Sequence, residues 1–274
     1  MLKIAVMGSA GRMGHCICQA IISHANEDIQ LTAAIQRVRD IDNDKPQIED
    51  PKHSHSARLP LVKAIMESIE KSDFDLLIDF STVTTTIKNL NYCQKNNKMM
   101  VIGTTGFNSS QLQQIKLASR DIPILLSSNM SVGVNLCFGL LEKITKVIGQ
   151  DADIEICETH HRNKLDAPSG TALEMGEIIA KSLGRNLKDC AVYSREGLSE
   201  IREQNTIGFA SIRAGDVVGD HTVLFATEGE RFEITHKASS RATFANGAVR
   251  AAIWLAEQKQ GFYDMQDVLG LRSL

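Results

Sequence analysis

The sequence predicts an α/β protein: a parallel sheet wrapped by helices over the first half, then a domain richer in consecutive strands. Three observations carry this. Short apolar runs alternate with amphipathic segments from residue 3 to residue 126, the pattern of repeated strand–helix–strand units. The first run opens directly into Gly8-Ser-Ala-Gly11-Arg-Met-Gly14. Beyond residue 205, three strand-like segments follow one another with no helix between them.

Residues 3–7 (Lys-Ile-Ala-Val-Met) read as a short buried strand. After the glycines a helix runs to about Ser23, with Ile17, Ala20, Ile21 and His24 at helical spacing. Residues 30–36 read as the second strand. Strand, glycine loop, helix and strand in this order are the context in which a glycine motif signals a dinucleotide site. Residues 38–59 lose periodicity: Asp40, Asp42, Asp44, Glu49 and Asp50 mix with Pro46, Pro51, His53 and His55. They are expected to form a mobile surface loop, and His53-x-His55 is not read as a metal site. Regular structure resumes with a strand at 75–80, a helix at 84–97 and a strand at 98–102. A helix at 109–120 and a strand at 122–126 follow.

The pattern changes after residue 130, which divides a Rossmann-like dinucleotide-binding domain (1–130) from an α+β domain (131–240). In the second, residues 132–148 form an amphipathic helix and Asp153–His161 a strand. A helix at 171–183 stops at Gly184. Strands follow at 206–213, 221–227 and 231–237, the last with Phe232, Ile234 and His236 on one face. Such an open mixed sheet must have its bare face covered, and a partner subunit is a natural cover. A helix near 241–258 closes the chain, ahead of a short tail.

Composition narrows the function. The chain has 274 residues, 43% hydrophobic and 23% charged, an ordinary globular balance for one large or two modest domains. A net charge of −3 argues against general nucleic-acid binding. No apolar run approaches the ~20 residues of a membrane span. The N-terminal apolar stretch runs into the glycine motif and not a cleavage site, so a cytoplasmic protein is expected. Six cysteines (Cys16, Cys18, Cys93, Cys137, Cys157 and Cys190) form no Cys-x-x-Cys and read as plain thiols, with no zinc or other metal site expected.

The glycine loop is one residue longer than the usual dinucleotide fingerprint, but the physics is unchanged. Glycine lets the backbone approach a pyrophosphate, and the helix start offers N–H groups and a positive dipole end. The end of the second strand selects the cofactor. An acid there would bond the ribose hydroxyls, but this chain has Gln36 and Arg37. Gln36 does not repel a 2′-phosphate, and Arg37 can grip one with its fork. Arg12 is placed to help. NADPH is expected, with NADH still usable. Gly103-Thr-Thr-Gly106 and Ser127-Ser-Asn-Met130 each follow a strand end and are candidates to border the nicotinamide.

The most informative run is Glu158-Thr-His-His-Arg-Asn-Lys-Leu-Asp-Ala-Pro-Ser-Gly-Thr171. It sets His160, His161, Arg162 and Lys164 beside a helix start. Two titratable imidazoles, two fixed cations and open amides suit a site that holds a small polyanion and passes it protons. The plainer alternative is a polar surface loop. Thr171 with Glu174 also fits a capping box, and Asp166 is close enough in sequence to orient Lys164.

These motifs, with Asp79-Phe-Ser, Val101-Ile-Gly-Thr-Thr-Gly-Phe107, Asn129-Met-Ser-Val-Gly-Val-Asn135, Thr206-Ile-Gly-Phe, Arg213-Ala-Gly-Asp, Gly219-Asp-His and His236-Lys-Ala-Ser-Ser-Arg, occur in order. Together they closely resemble the bacterial 4-hydroxy-tetrahydrodipicolinate (dihydrodipicolinate) reductases over nearly the whole length. The resemblance implies an NAD(P)H-dependent oxidoreductase of the diaminopimelate route to lysine. It implies that 241–274 completes the first domain and that 131–240 binds substrate and builds a homotetramer through its sheet. It assigns acid/base work to His160 and proton donation to Lys164. Substrate binding falls to His161, Lys164, Gly170 and Thr171. Cofactor binding falls to Gly8, Ser9, Ala10, Gly11, Arg12, Met13, Gln36, Arg37, Gly103, Thr104, Thr105, Ser127, Ser128, Asn129 and Met130. Gln36 stands where an acid is frequent in the family, and Met130 where an aromatic is common.

The expected partner is a small cyclic imine dicarboxylate, with neither nucleic acid nor membrane. Two other classes compete. A different dehydrogenase on the same plan would have no reason for paired histidines with Lys164 and Ser-Gly-Thr. A nucleotide sensor would keep the glycine loop and need no proton donors.

Overall fold

The computed structural model describes residues 1–24, 28–36, 65–66, 69–198 and 201–273. They divide into two compact units: Met1–Ser131 with Ala242–Gly270, and Val132–Arg241 with the chain from Leu271 onward.

The first unit carries a seven-stranded, wholly parallel sheet. Its strands are β1 (Leu2–Met7), β2 (Ile29–Ile35), β3 (Ile65–Met66), β4 (Leu76–Asp79), β5 (Met99–Ile102), β6 (Pro123–Leu126) and β12 (Gly261–Tyr263). The spatial order β12-β6-β5-β4-β1-β2-β3 reverses direction between β1 and β4, which makes the C-terminal ends of those strands the place for a ligand. The strands are apolar on both faces because both are covered. Ile4, Val6, Leu76, Ile78, Val101 and Leu125 face one core with α1 (Arg12–Ser23) and the late helix Ala242–Leu255. Ala5, Met7, Leu77, Met100, Ile102 and Ile124 face the other. There they meet α2 (Val83–Lys95), through Leu90 and Cys93, and α3 (Ser109–Ala118), through Ile115 and Ala118. Thr82 caps α2, and Asn108 with Gln111 forms a full capping box on α3.

The second unit holds a five-stranded mixed sheet ordered β11-β10-β7-β9-β8. Here β7 is Asp153–His160, β8 Ala191–Val192, β9 Ile207–Arg213, β10 Gly219–Thr227 and β11 Glu230–Ala238. The β11, β10 and β7 neighbours pair antiparallel, and β9 joins β7 and β8 in parallel. Strict alternation in β7 buries Ile154, Ile156, Glu158 and His160. The apolar part of that face packs on α4 (Val132–Ile148) and α5 (Gly170–Ser182), with the short α6 (Leu187–Cys190) adding Leu187 and Cys190. Phe232, Ile234 and His236 do share one face, in register with Phe225, Val223 and His221.

Some expectations are corrected. Helix α5 starts at Gly170 and is capped by Ser169, whose Oγ accepts from the Ala172 N–H. The Thr171–Glu174 capping box is therefore not the one used. The late helix, α7 (Ala242–Leu255), ends earlier than 258. The tail forms β12, parallel to β6, and the short α8 (Met265–Val268), capped by Asp264. From Leu271 the chain groups with the second unit, where Leu271 lies against Leu136, Gly139 and Leu140 of α4. The loop at 38–59, with His53 and His55, lies outside the described residues.

Helix α7 packs closely because its inner face is small: Ala245, Ala248, Ala251 and Ala252 are all fully buried. A Cβ at Gly247 would collide with the Met130 carbonyl. In an exposed helix interior, glycine-to-alanine stabilises by about 1 kcal/mol. Here the backbone contact reverses the sign, and Gly247→Ala is expected to lower unfolding free energy by about 1–3 kcal/mol, as overpacking does. Urea unfolding read by circular dichroism checks this; a raised midpoint would contradict the packing.

Candidate functional site

In the first unit, every described segment expected to meet the cofactor follows the C-terminal end of a parallel strand. Gly8–Met13 follows β1, Gln36 follows β2, Gly103–Thr105 follows β5 and Ser127–Met130 follows β6. Arg37 lies outside the described residues. The glycine loop is locked to the end of β2: Ile35 O accepts from Gly8 N at 3.0 Å, Ser9 N at 3.1 Å and Ser9 Oγ at 3.1 Å. Gly8 has φ +82°, which favours glycine, and a Cβ there would strike the Phe80 carbonyl. A Cβ at Gly14 would strike Gly8 itself. Gly11 is the N-cap of α1 and brings no side-chain cap to the first-turn amides. A backbone-lined turn leading into an uncapped helix start fits a pyrophosphate, so these residues suit a dinucleotide.

The neighbouring loops are organised by Asp79 at the end of β4. It is fully buried. Its carboxylate accepts from Ser81 N at 3.1 Å, Ser81 Oγ at 2.5 Å, Thr86 Oγ1 at 3.2 Å, Asn89 Nδ2 at 2.8 Å and Thr104 Oγ1 at 3.4 Å. Burial raises its pKa, against the opposing pull of the Ser81, Asn89 and Thr86 hydrogen bonds. Thr104 therefore turns its hydroxyl inward and presents backbone. Gly103 lies against the Phe80 ring. Met130 is 2% exposed within the core, so its side chain supports the β6 loop from beneath.

In the second unit the long motif straddles the end of β7. His160 is its last residue, and Glu158, two positions earlier, points to the same face. Glu158 Oε2 takes His160 Nδ1 at 2.5 Å. Arg213, at the end of the neighbouring β9, grips the same carboxylate with both Nη atoms, at 2.9 and 2.8 Å. Burial acts to raise Glu158, but the hydrogen bonds from Arg213, His160 and Ser211 outweigh it and bring the carboxyl down to about 2. Arg213 Nη2 also donates to the Asp166 carbonyl at 2.6 Å, and the Asp166 carboxylate pairs with Lys164 Nζ at 2.9 Å. Gly219 leaves room for the imidazole: a Cβ there would sit 2.9 Å from His160 Nε2.

A second histidine completes the cluster. His221, on β10 opposite Glu158, is 4% exposed and meets the His160 ring edge-on at 5.1 Å. Its Nε2 bonds Ser169 Oγ at 3.0 Å. Burial, then positive charge on His160, His236 and Lys164, lower His221 to about 4, with Glu158 opposing. It is a neutral ring at physiological pH.

The structure thus gathers His160 and Lys164 through Glu158, Arg213 and Asp166. His161 follows on directly, half-buried. Gly170 and Thr171 open α5, with space beside Gly170. Sequence reasoning assigned no role to Asp79, Glu158, Ser169, Arg213 or His221. A signal existed for Glu158, which shares strand parity with His160. For Arg213 and His221 nothing local shows the strand pairing that brings them in.

Two family models match the chain: dihydrodipicolinate reductase, N-terminus, over residues 2–130, and dihydrodipicolinate reductase, C-terminus, over residues 133–269. Among solved structures, a dipicolinate-bound dihydrodipicolinate reductase from Paenisporosarcina sp. TG-14 aligns with TM-score 0.70 at 24% identity, covering 97% of this chain and 98% of that one. A probable dehydrogenase from Thermotoga maritima aligns with TM-score 0.56 at 13% identity, over 98% and 93%. A scyllo-inositol dehydrogenase from Lactobacillus casei aligns with TM-score 0.58 at 12% identity, over 100% and 94%. The structural likenesses show the shared fold; the two family models, end to end, show more. The chain belongs to the dihydrodipicolinate reductase family, nicotinamide-dependent oxidoreductases of lysine biosynthesis.

Proposed function

We propose that this reductase runs with NADPH, accepts NADH, and protonates its cyclic imine dicarboxylate substrate through Lys164 and His160. The observation that carries this is the linked set Glu158–His160 and Asp166–Lys164 beside the open start of α5. When bound, the nicotinamide supplies the hydride. The chain's own residues do the rest. Lys164, Arg162 and the α5 amides at Gly170 and Thr171 supply the positive field for two carboxylates. His161 adds a polar contact. Lys164 Nζ, held by Asp166, and His160 Nε2, left available because Nδ1 faces Glu158, are the groups able to pass a proton. The first unit is the cofactor-binding domain, and the second holds substrate.

Gln36 supports the NADPH preference. It is half-buried, directly after the Ile35 carbonyl that anchors the glycine loop. It therefore lies beside the turn that suits the pyrophosphate, and its neutral amide does not repel a 2′-phosphate.

We place the protein in the cytoplasm as a homotetramer built through the five-stranded sheet. Among the described residues, no helix is long and apolar enough to cross a membrane. The face of the sheet away from α4 and α5 carries half-buried Cys157, Thr222 and Leu224 and exposed Ile212, a mixed surface suited to a second copy.

Three predictions follow from these assignments. The double variant His160→Ala with Lys164→Ala should bind NADPH with wild-type affinity by fluorescence titration, while kcat falls at least ~10²-fold, the scale of a lost general acid. A wild-type rate would remove both residues from the chemistry. Gln36→Glu should raise KM for NADPH about tenfold or more, through repulsion of the 2′-phosphate, and leave NADH unharmed; an unchanged ratio of the two specificities would contradict the role of Gln36.

The third concerns acid. His221 folds with a value of about 4 against an ordinary 6.5, so the unfolded chain takes up that proton first as pH falls. Glu158 folds at about 2 against 4.5, with the same consequence. Both contributions are complete at high pH. His221's is lost between 6.5 and 4, and Glu158's between 4.5 and 2. Urea midpoints should therefore begin to fall below pH 6.5, and His221→Asn should flatten the curve between pH 6.5 and 5. A midpoint independent of pH from 8 to 5 in the wild type would refute this.

A further inference from the structure

We propose that Glu158 is a positioning residue for the reduction, acting through His160 and, by way of Arg213, through Lys164. This rests on the assignment of His160 and Lys164 as the proton-passing pair. Glu158 is 1% exposed, and both of its oxygens are committed. Oε2 takes His160 Nδ1 and Arg213 Nη1, and Oε1 takes Arg213 Nη2. A carboxylate held ionised can only accept. Nδ1 must therefore carry a proton, which leaves Nε2 as the atom that gains or loses one. The ring is fixed as well as the tautomer, because Gly219 and His221 close on its other sides.

Arg213 extends the same control to the lysine. Its Nη1 also holds the Ile212 carbonyl at 2.7 Å, and its Nη2 the Asp166 carbonyl at 2.6 Å. Asp166 in turn grips Lys164 Nζ at 2.9 Å. The contacts from imidazole to ammonium thus run through Glu158, Arg213 and Asp166. Only a planar fork serves two carboxylate oxygens and two carbonyls at once.

The competing view is that Glu158 and Arg213 merely hold β7 and β9 together. Buried ion pairs are poor evidence of stability, since apolar pairs often replace them without loss. The two views differ in what kinetics would show. Glu158→Gln keeps shape and an acceptor for Nδ1 but turns an amide N–H₂ toward Arg213. The experiment measures steady-state NADPH oxidation with dihydrodipicolinate for E158Q, H160N, the E158Q/H160N double and R213K. E158Q should lose about 10- to 100-fold in kcat, part of what a positioned acid contributes, with both KM values within about threefold. E158Q should slow H160N by clearly less than it slows the wild type, because the part of Glu158's effect that passes through the ring is already gone and only the part carried by Arg213 and Lys164 remains. R213K, which keeps the charge and loses the fork, should also lose kcat.

Fully additive losses in the double overturn the proposal, as they would mark a general structural role. A loss in H160N with none in E158Q overturns it while leaving the histidine assignment standing. A wild-type kcat for H160N overturns both. R213K at the wild-type rate overturns the link to Lys164.

Discussion

Burying a carboxylate is costly unless donors surround it, and each unit places one where a central strand runs out of its core. Asp79 ends β4 with a shell of hydroxyl, amide and backbone donors. Glu158 sits near the end of β7 under an arginine fork and an imidazole. In the first unit the donors come from the loop after β4, the loop after β5 and helix α2, and in the second from the ends of β7 and β9. Satisfying the acid and shaping the loop are therefore one requirement. Thr104 cannot swing outward without abandoning Asp79, and His160 cannot rotate without abandoning Glu158. The rest of each site is arranged around these two fixed points.

The two acids differ in balance. Around Asp79 the donors are neutral, and burial wins: its pKa is raised. Around Glu158 a guanidinium contributes a full charge in two short bonds, and burial loses: the value falls to about 2. Neutral donors hold the Asp79 carboxylate in place and bind the neighbouring segments to it without adding a charge. The charged fork suits a group that must stay an acceptor, since a protonated Glu158 would no longer dictate which nitrogen of His160 carries the proton.

Much of this was legible in the sequence wherever the signal was local. The alternating apolar runs located the main strands of the parallel sheet, because strands covered on both faces are apolar throughout. The run from Glu158 to Thr171 announced itself because the imidazoles, the lysine and the helix start are neighbours along the chain. What escaped was set by pairing over distance. Arg213 reaches Glu158 across 55 residues, and Ser169 meets His221 across 52. Only the register of β7 with β9 and β10 brings them together. The strand at Gly261–Tyr263 escaped for a related reason: three residues beside β6 need no periodicity of their own. The cap at α5 was misassigned to Thr171 because Thr171 with Glu174 completes the box pattern, whereas Ser169, two positions earlier, caps without one through its hydrogen bond from Ala172.

The neutral state of His221 has a consequence for that cap. Its Nδ1 is buried with no hydrogen-bond partner among the described residues. An orphaned N–H in such a place costs more than an orphaned lone pair, so the ring proton belongs on Nε2. That proton is then donated to Ser169 Oγ, which also accepts from Ala172 N at 3.2 Å. A hydroxyl with both acceptor positions used has one thing left to give, its own hydrogen. Ser169 stands immediately before Gly170, where the first-turn amides of α5 point away from the helix. The neutral histidine thereby joins the Ala172 amide on the capping serine, and the same constraint keeps the ring uncharged. A protonated His221 would have no partner for its second N–H and would add a buried charge next to Lys164. The low proton affinity of His221 and the serine cap on α5 are thus two expressions of one buried arrangement.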